Sequence, residues 1–246
     1  MFDFEIKIAK TAEEKNGALR LRFDVFKNQD NPASMAVSAK ESETDAYDQF
    51  CDHLIVVDKT KNLVVGTYRL LLGSKTNPKI GFYSEKMFDI ANIKALGHGI
   101  LELSRSCVHK DYREGIVINL LWSGIAKYIK DNSAKYLFGS VRLNTTQPQQ
   151  VSNFFSFVKN KYYSCDALRV YPHKEYAFKE LSGDTPLDDY KETFRSLPPL
   201  VKGYLRLGVK FCGPPAWNPD FGSVVFFILF DIEHAPDTYK RHFLGV

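Results

Sequence analysis

The chain has 246 residues, 44% of them hydrophobic and 14% aromatic, with the 25% that are charged spread throughout; that is material for a sizeable core and not the composition of a disordered chain. Its 33 Lys and Arg against 29 Asp and Glu leave a formal net charge of +4, too mild for the basic stripe a nucleic-acid partner would need. Cys51, Cys107, Cys165 and Cys212 lie far apart with no C-x-x-C pair, and the six histidines lack ligand spacing, so neither a disulfide scaffold nor a metal site is expected.

The N-terminal MFDFEIKIAK alternates charged and apolar residues without the apolar core of a secretion signal, so a cytoplasmic protein is expected. Residues 2–9 read as a strand. Thr11 then caps a helix, with Glu14 completing a capping box and Ala18, Leu21 and Val25 forming the apolar stripe. Residues 28–50 are polar and irregular. The strands His53–Asp58 and Leu63–Leu72, joined by KTKN, read as an antiparallel hairpin. A loop and a short helix lead to the strand Ile100–Val108, the polar turn HKDYREG and an apolar helix over Ile116–Lys130. A strand at Tyr136–Val141, a helix after Pro148, a helix over Leu200–Phe211 and a final strand at 224–231 complete the chain. The run VVFFILF within that last strand is far short of the roughly 20 residues that span a bilayer. The order predicts an α/β (α+β) fold, a single domain over 1–246 in which helices flank a mixed, mostly antiparallel sheet.

The stretch ILELSRSCVHKDYREGIVINLL is the most informative. A strand ends in a turn carrying Arg113 and Gly115 that opens directly into a helix, and free N–H groups at such a start can cradle a phosphate. Glu102 lies in the strand among apolar neighbours, where a partly desolvated carboxylate suits a general base; a plain surface ion pair is the alternative. Cys107 lies in the same strand, but no histidine is paired with it by pattern, and a buried thiol is expected.

The segments ELSRSCVHKDYREGIVINLLWSGIAKYI and LPPLVKGYLRLGVKFCGPPAWNPDFG resemble the GNAT-fold acyltransferases of the ornithine lipid synthesis group, over nearly the whole chain. Residues 190–246 then correspond to that group's own C-terminal helix and strand. The chain is also similar, at spaced polar positions, to the acyl-homoserine-lactone and N-acyl amino acid synthases: Arg22 and Phe26 on the first helix, Asp45 and Asp48 after it, Arg69 in the hairpin, and Glu102 with Arg105 on the central strand. It departs from the usual Q/R-x-x-G-x-G/A phosphate loop, since Arg113-Glu-Gly115-Ile-Val117 lacks the glycine register, and RLNTTQP follows YLFGSV where small residues are usual.

The resemblance implies an N-acyltransferase that holds no permanent cofactor and moves a long-chain acyl group to the amine of ornithine or a similar amino acid. The donor it implies is acyl carrier protein, as a 4′-phosphopantetheine thioester, or coenzyme A. Glu102 and Arg105 would be catalytic; Arg22, Phe26, Asp45, Asp48 and Arg69 would bind the acceptor, the aspartates its positive charges and Arg69 or Arg105 its carboxylate. Ser106, Val108, Arg113 and Gly115 would bind pantetheine. Each charged pair has a plain alternative, an internal ion pair that pins the first helix to the sheet. A signal synthase and a non-catalytic carrier-binding module are the competing functions. The stripe Leu200, Tyr204, Leu207 and Phe211, with Lys202, Arg206 and Lys210 opposite, reads as core-facing or as a contact with an anionic membrane.

Overall fold

A computed structural model describes residues 3–29, 42–181, 194, 195, 197, 199–237 and 240. In chain order its elements are β1 (Phe4–Ile8), α1 (Ala12–Gln29), β2 (Asp52–Asp58), β3 (Leu63–Leu72), β4 (Phe88–Asp89), α2 (Ala91–Lys94), β5 (Ile100–Val108), α3 (Ile116–Asn132), β6 (Tyr136–Arg142), α4 (Pro148–Lys161), β7 (Tyr171–Pro172), α5 (Pro199–Leu207), β8 (Lys210–Phe211), β9 (Ala216–Asn218) and β10 (Ser223–Asp231). The described residues divide into two compact units, one holding those up to Tyr83, those of Leu101–Ala134 and Lys240, the other Ser84–Ile100 and those from Lys135 to Asp237.

In the first unit β1, β2, β3 and β5 pair in that order, each antiparallel to the next. The capping box forms as the sequence predicts: Thr11 Oγ1 accepts from Glu14 N at 3.1 Å, and Glu14 Oε2 accepts from Thr11 N at 3.1 Å. It starts α1, whose Ala18, Leu21 and Val25 are buried. Ala18 packs with Ile55 and Val57 of the sheet, while Leu21 and Val25 pack on Cys107. Helix α3 lies on the opposite face, and two glycines set its approach. A Cβ on Gly66 would stand 2.5 Å from Val117 Cγ1, and one on Gly124 would stand 2.4 Å from Ile6 Cδ1.

Strand β5 is interrupted where chemistry was expected. Thr67 pairs Cys107 but Arg69 pairs Ser104, so Arg105 and Ser106 together oppose Tyr68 alone in a bulge. Arg105 there takes φ +53°, a left-handed conformation uncommon for a residue with a side chain.

In the second unit β10 pairs β6 over Val225–Asp231 and carries β8 and β9 on its other edge. Val151, Phe154, Phe157 and Val158 of α4, with Val201 and Leu205 of α5, cover Phe211, Val224 and Phe226. The helix expected over 200–211 ends early. Gly208, at φ +86°, closes it with Gly208 N donating to Leu205 O and Val209 N to Tyr204 O, and Phe211 sits in β8 opposite Ile228. The buried stripe is therefore Leu197, Val201 and Leu205, and Leu200 is 37% exposed. Among the described residues no helix is long and apolar enough to cross a membrane.

Candidate active site

Three arginines from three elements meet three carboxylates. Arg22, at 0% exposure on α1, reaches Asp48 Oδ1 with Nη1 at 2.6 Å and also binds Glu43. Arg69, at 1% exposure on β3, reaches Asp45 Oδ1 at 2.6 Å and Asp48 Oδ1 at 3.1 Å, both with Nη1. Its Nε donates to Ser104 Oγ on β5 at 3.0 Å. Arg105 donates to Glu43 Oε1 at 2.9 Å and to Asp45 Oδ2 at 3.1 Å. The bulge explains Arg105's part: its left-handed backbone breaks the alternation of β5.

These six charges balance, three against three. The pairing is what makes their burial tolerable, since a lone charge out of water would cost several kcal/mol. Burial alone would push the Asp48 carboxyl up. The Arg22 hydrogen bond and the charges of Arg22 and Arg69 outweigh it and hold that group well below the usual carboxylate range. His53 on β2 stands with Nε2 3.9 Å from Asp48 Oδ1, and burial pushes its pKa down.

Aromatic rings close the cluster. Arg69 Cζ lies 5.6 Å from the Tyr47 ring and 5.5 Å from the Tyr83 ring, and Arg105 Cζ lies 4.5 Å from Tyr83. The two tyrosines meet edge to face at 5.5 Å. Tyr83 also holds the expected base: its backbone N–H donates to Glu102 Oε2 at 2.8 Å, and Glu102 is 1% exposed.

Further along β5, Ser106 and Val108 are half-buried. Cys107 between them is buried against Leu21 and Val25, and burial pushes its thiol up to about 12. Such a thiol stays protonated at neutral pH, which disfavours an acyl-enzyme. Arg113 Nε donates back to Val108 O at 3.3 Å. Gly115 caps α3 at φ +100° with no side-chain cap, and the first turn carries no acidic residue. Its first N–H groups thus have no side-chain cap, the arrangement that takes an anion.

Of the residues picked from sequence, Arg22, Asp45, Asp48, Arg69 and Arg105 form one network, and Tyr83 ties Glu102 to it. Ser106, Val108, Arg113 and Gly115 sit at the far end of β5 and the start of α3. Phe26 stands apart, packed with Leu21, Val25 and Cys107. Asp45 and Asp48, expected to hold a substrate's positive charge, are bound by arginines of the protein itself. Glu43, Tyr47, His53 and Tyr83 were not anticipated. Glu43 could have been, since it precedes Asp45 at the two-residue step in ESETDAYD; nothing local marks Tyr83.

Residues 21–123 match the model of the acetyltransferase (GNAT) domain. The L-ornithine N(alpha)-acyltransferase of Brucella abortus (strain 2308) is 30% identical over 249 residues, covering 97% of this chain and 88% of that protein. That of Rhizobium meliloti (strain 1021) is 31% identical over 251 residues, covering 98% and 84%. Among solved structures, FeeM, an N-acyl amino acid synthase from uncultured soil microbes, superposes with a TM-score of 0.55 at 10% identity, covering 95% of this chain and 94% of that one. The AHL synthase LasI superposes with a TM-score of 0.53 at 14% identity, covering 100% and 96%. At such identities these two show the fold.

Proposed function

We propose that this chain, which belongs to the L-ornithine N(alpha)-acyltransferase family, moves a long-chain acyl group from a pantetheine thioester to the α-amine of ornithine. The observation that carries this reading is Glu102: a buried carboxylate, oriented by Tyr83 N–H, on the strand that runs on to the uncapped start of α3. Glu102 takes a proton from the acceptor's ammonium, directly or through a water, and leaves a nucleophilic amine. The amine attacks the thioester carbonyl, N–H groups of the Ser104–Val108 stretch polarise its oxygen, and the C–S bond breaks as the amide forms. The thiol leaves with a proton, so charge and atoms balance. Ser106, Val108, Arg113 and Gly115 line the donor's path, with its phosphate at the α3 start. The arginine–carboxylate network holds Arg105 and Arg69 rigid beside the base.

The preferred donor is acyl carrier protein, with coenzyme A the alternative. Leu200 and Arg206, both exposed on α5, would suit a peripheral contact with an anionic membrane, where an acylated amino acid partitions.

A thiol-release assay tests the reaction, with long-chain acyl carrier protein and acyl-coenzyme A each offered a panel of free amino acids. Release should require ornithine, and Glu102→Gln should lower it by about 10²–10⁴-fold. Release with another amine replaces the substrate; no amine-dependent release from either donor sinks the enzyme reading.

A further inference from the structure

Besides His53 Nδ1, two polar groups in the network lack what their burial demands. Arg69 binds through Nε and Nη1, but its Nη2 is buried without a hydrogen-bond partner. The Tyr83 hydroxyl, on a ring packed against both Arg69 and Arg105, is buried with no acceptor for its O–H, since toward the Arg105 guanidinium its oxygen can only accept. Buried donors in native proteins are nearly always satisfied, so an orphan needs a cause such as an absent ligand.

We infer that Tyr83 Oη and Arg69 Nη2 form the anchor for the acceptor's α-carboxylate. The inference rests on the amino-acid acceptor proposed above. Both orphans are donors, and the natural complement of a guanidinium N–H beside a phenol O–H is a carboxylate oxygen. The second argument is distance. Tyr83 holds Glu102 with its backbone and offers the anchor with its side chain, so base and anchor lie within the span of one residue. An α-amino acid carries its ammonium and carboxylate on the same carbon, and fits that short separation. The δ-ammonium of ornithine stands three methylenes further from the carboxylate, so an anchored carboxylate favours the α-amine at Glu102. The anchor thereby directs acylation to the α-amine. It also lies where water is excluded, so a carboxylate bound there makes a charge-assisted hydrogen bond at full strength.

Tyr83→Phe removes the hydroxyl and leaves the ring, the backbone N–H and the guanidinium stacking. The full-length protein and this variant are compared on ornithine and on ornithinamide, whose carboxamide carries no charge, with one long-chain acyl carrier protein as donor. The expected result is a loss of about tenfold or more in kcat/KM for ornithine, read mainly in its KM. The donor's KM should stay within about twofold of wild type, and ornithinamide, whose neutral carboxamide takes a weaker hydrogen bond than a carboxylate, should lose less than ornithine. An unchanged Tm separates the effect from unfolding. Equal losses on both acceptors, a matching rise in donor KM, or no loss on ornithine overturns the anchor. A wild-type enzyme that acylates no α-amino acid instead removes the function on which it rests.

Discussion

The two units bury opposite things. Around α1, β3 and β5 the first encloses three guanidinium groups and their carboxylates, while around α4 and β10 the second encloses packed aromatic rings, most of them edge to face. There Phe154 meets Phe226 at 5.2 Å, Phe211 at 5.5 Å and Phe157 at 6.3 Å. Ring packing is non-directional and yields gradually when one member shrinks. A charge network yields abruptly, because removing one member leaves a buried charge out of water and uncompensated. The chemistry sits with the brittle arrangement, which fixes direction as well as position.

Arg22→Met tests this most severely. It takes one of two arginine partners from each of Glu43 and Asp48, leaves the buried cluster one positive charge short, and should cost about 3–5 kcal/mol of stability in denaturant unfolding. A cost near that of an apolar truncation would mean that the network is not held by charge. Phe154→Leu, the matching change in the ring cluster, should cost about 1–2 kcal/mol. If the two costs come out equal, the contrast fails.

Acid separates the units further. The Asp48 carboxyl titrates lower folded than unfolded, so its contribution is complete above the ordinary carboxylate value and is lost as pH falls towards the folded one. The stability gap between wild type and Asp48→Asn should therefore be widest at pH 7 and narrow below about pH 4. For Phe154→Leu the gap should hardly move over that range. The smallest effect is chemical. Burial pushes Cys51, Cys107 and Cys212 up to about 12 while Cys165 is exposed, so iodoacetamide on the native protein should add one label, at Cys165. Native labelling of Cys107 would reopen the covalent route.

Elements with a local signal were legible in the sequence. The capping box at Thr11, the hairpin, and the strand-turn-helix from Ile100 to Asn132 all stand where periodicity and turn residues put them. The end of α5 was misread because Phe211 continues a helical stripe, while the stop depends on Gly208 adopting a left-handed backbone that Gly203, within the same helix, does not. The site was half legible. The family resemblance picked out Arg22, Asp45, Asp48, Arg69, Glu102 and Arg105, but not who pairs with whom, since that depends on register and on the bulge at Arg105. Tyr83 escaped altogether: its backbone does part of its work, and a backbone N–H has no signature in a sequence.

Gly66 and Gly124 act as a height gauge for α3. With no methyl at either position the helix rests on Ile6, Leu54 and the β3 backbone, and its first turn hangs at one fixed level above the sheet. One added carbon at Gly124 would tip the helix about that point, and the tilt would be greatest at its ends. Sub-ångström placement governs reaction rates, so a substitution touching neither substrate could detune the enzyme as surely as one at the base.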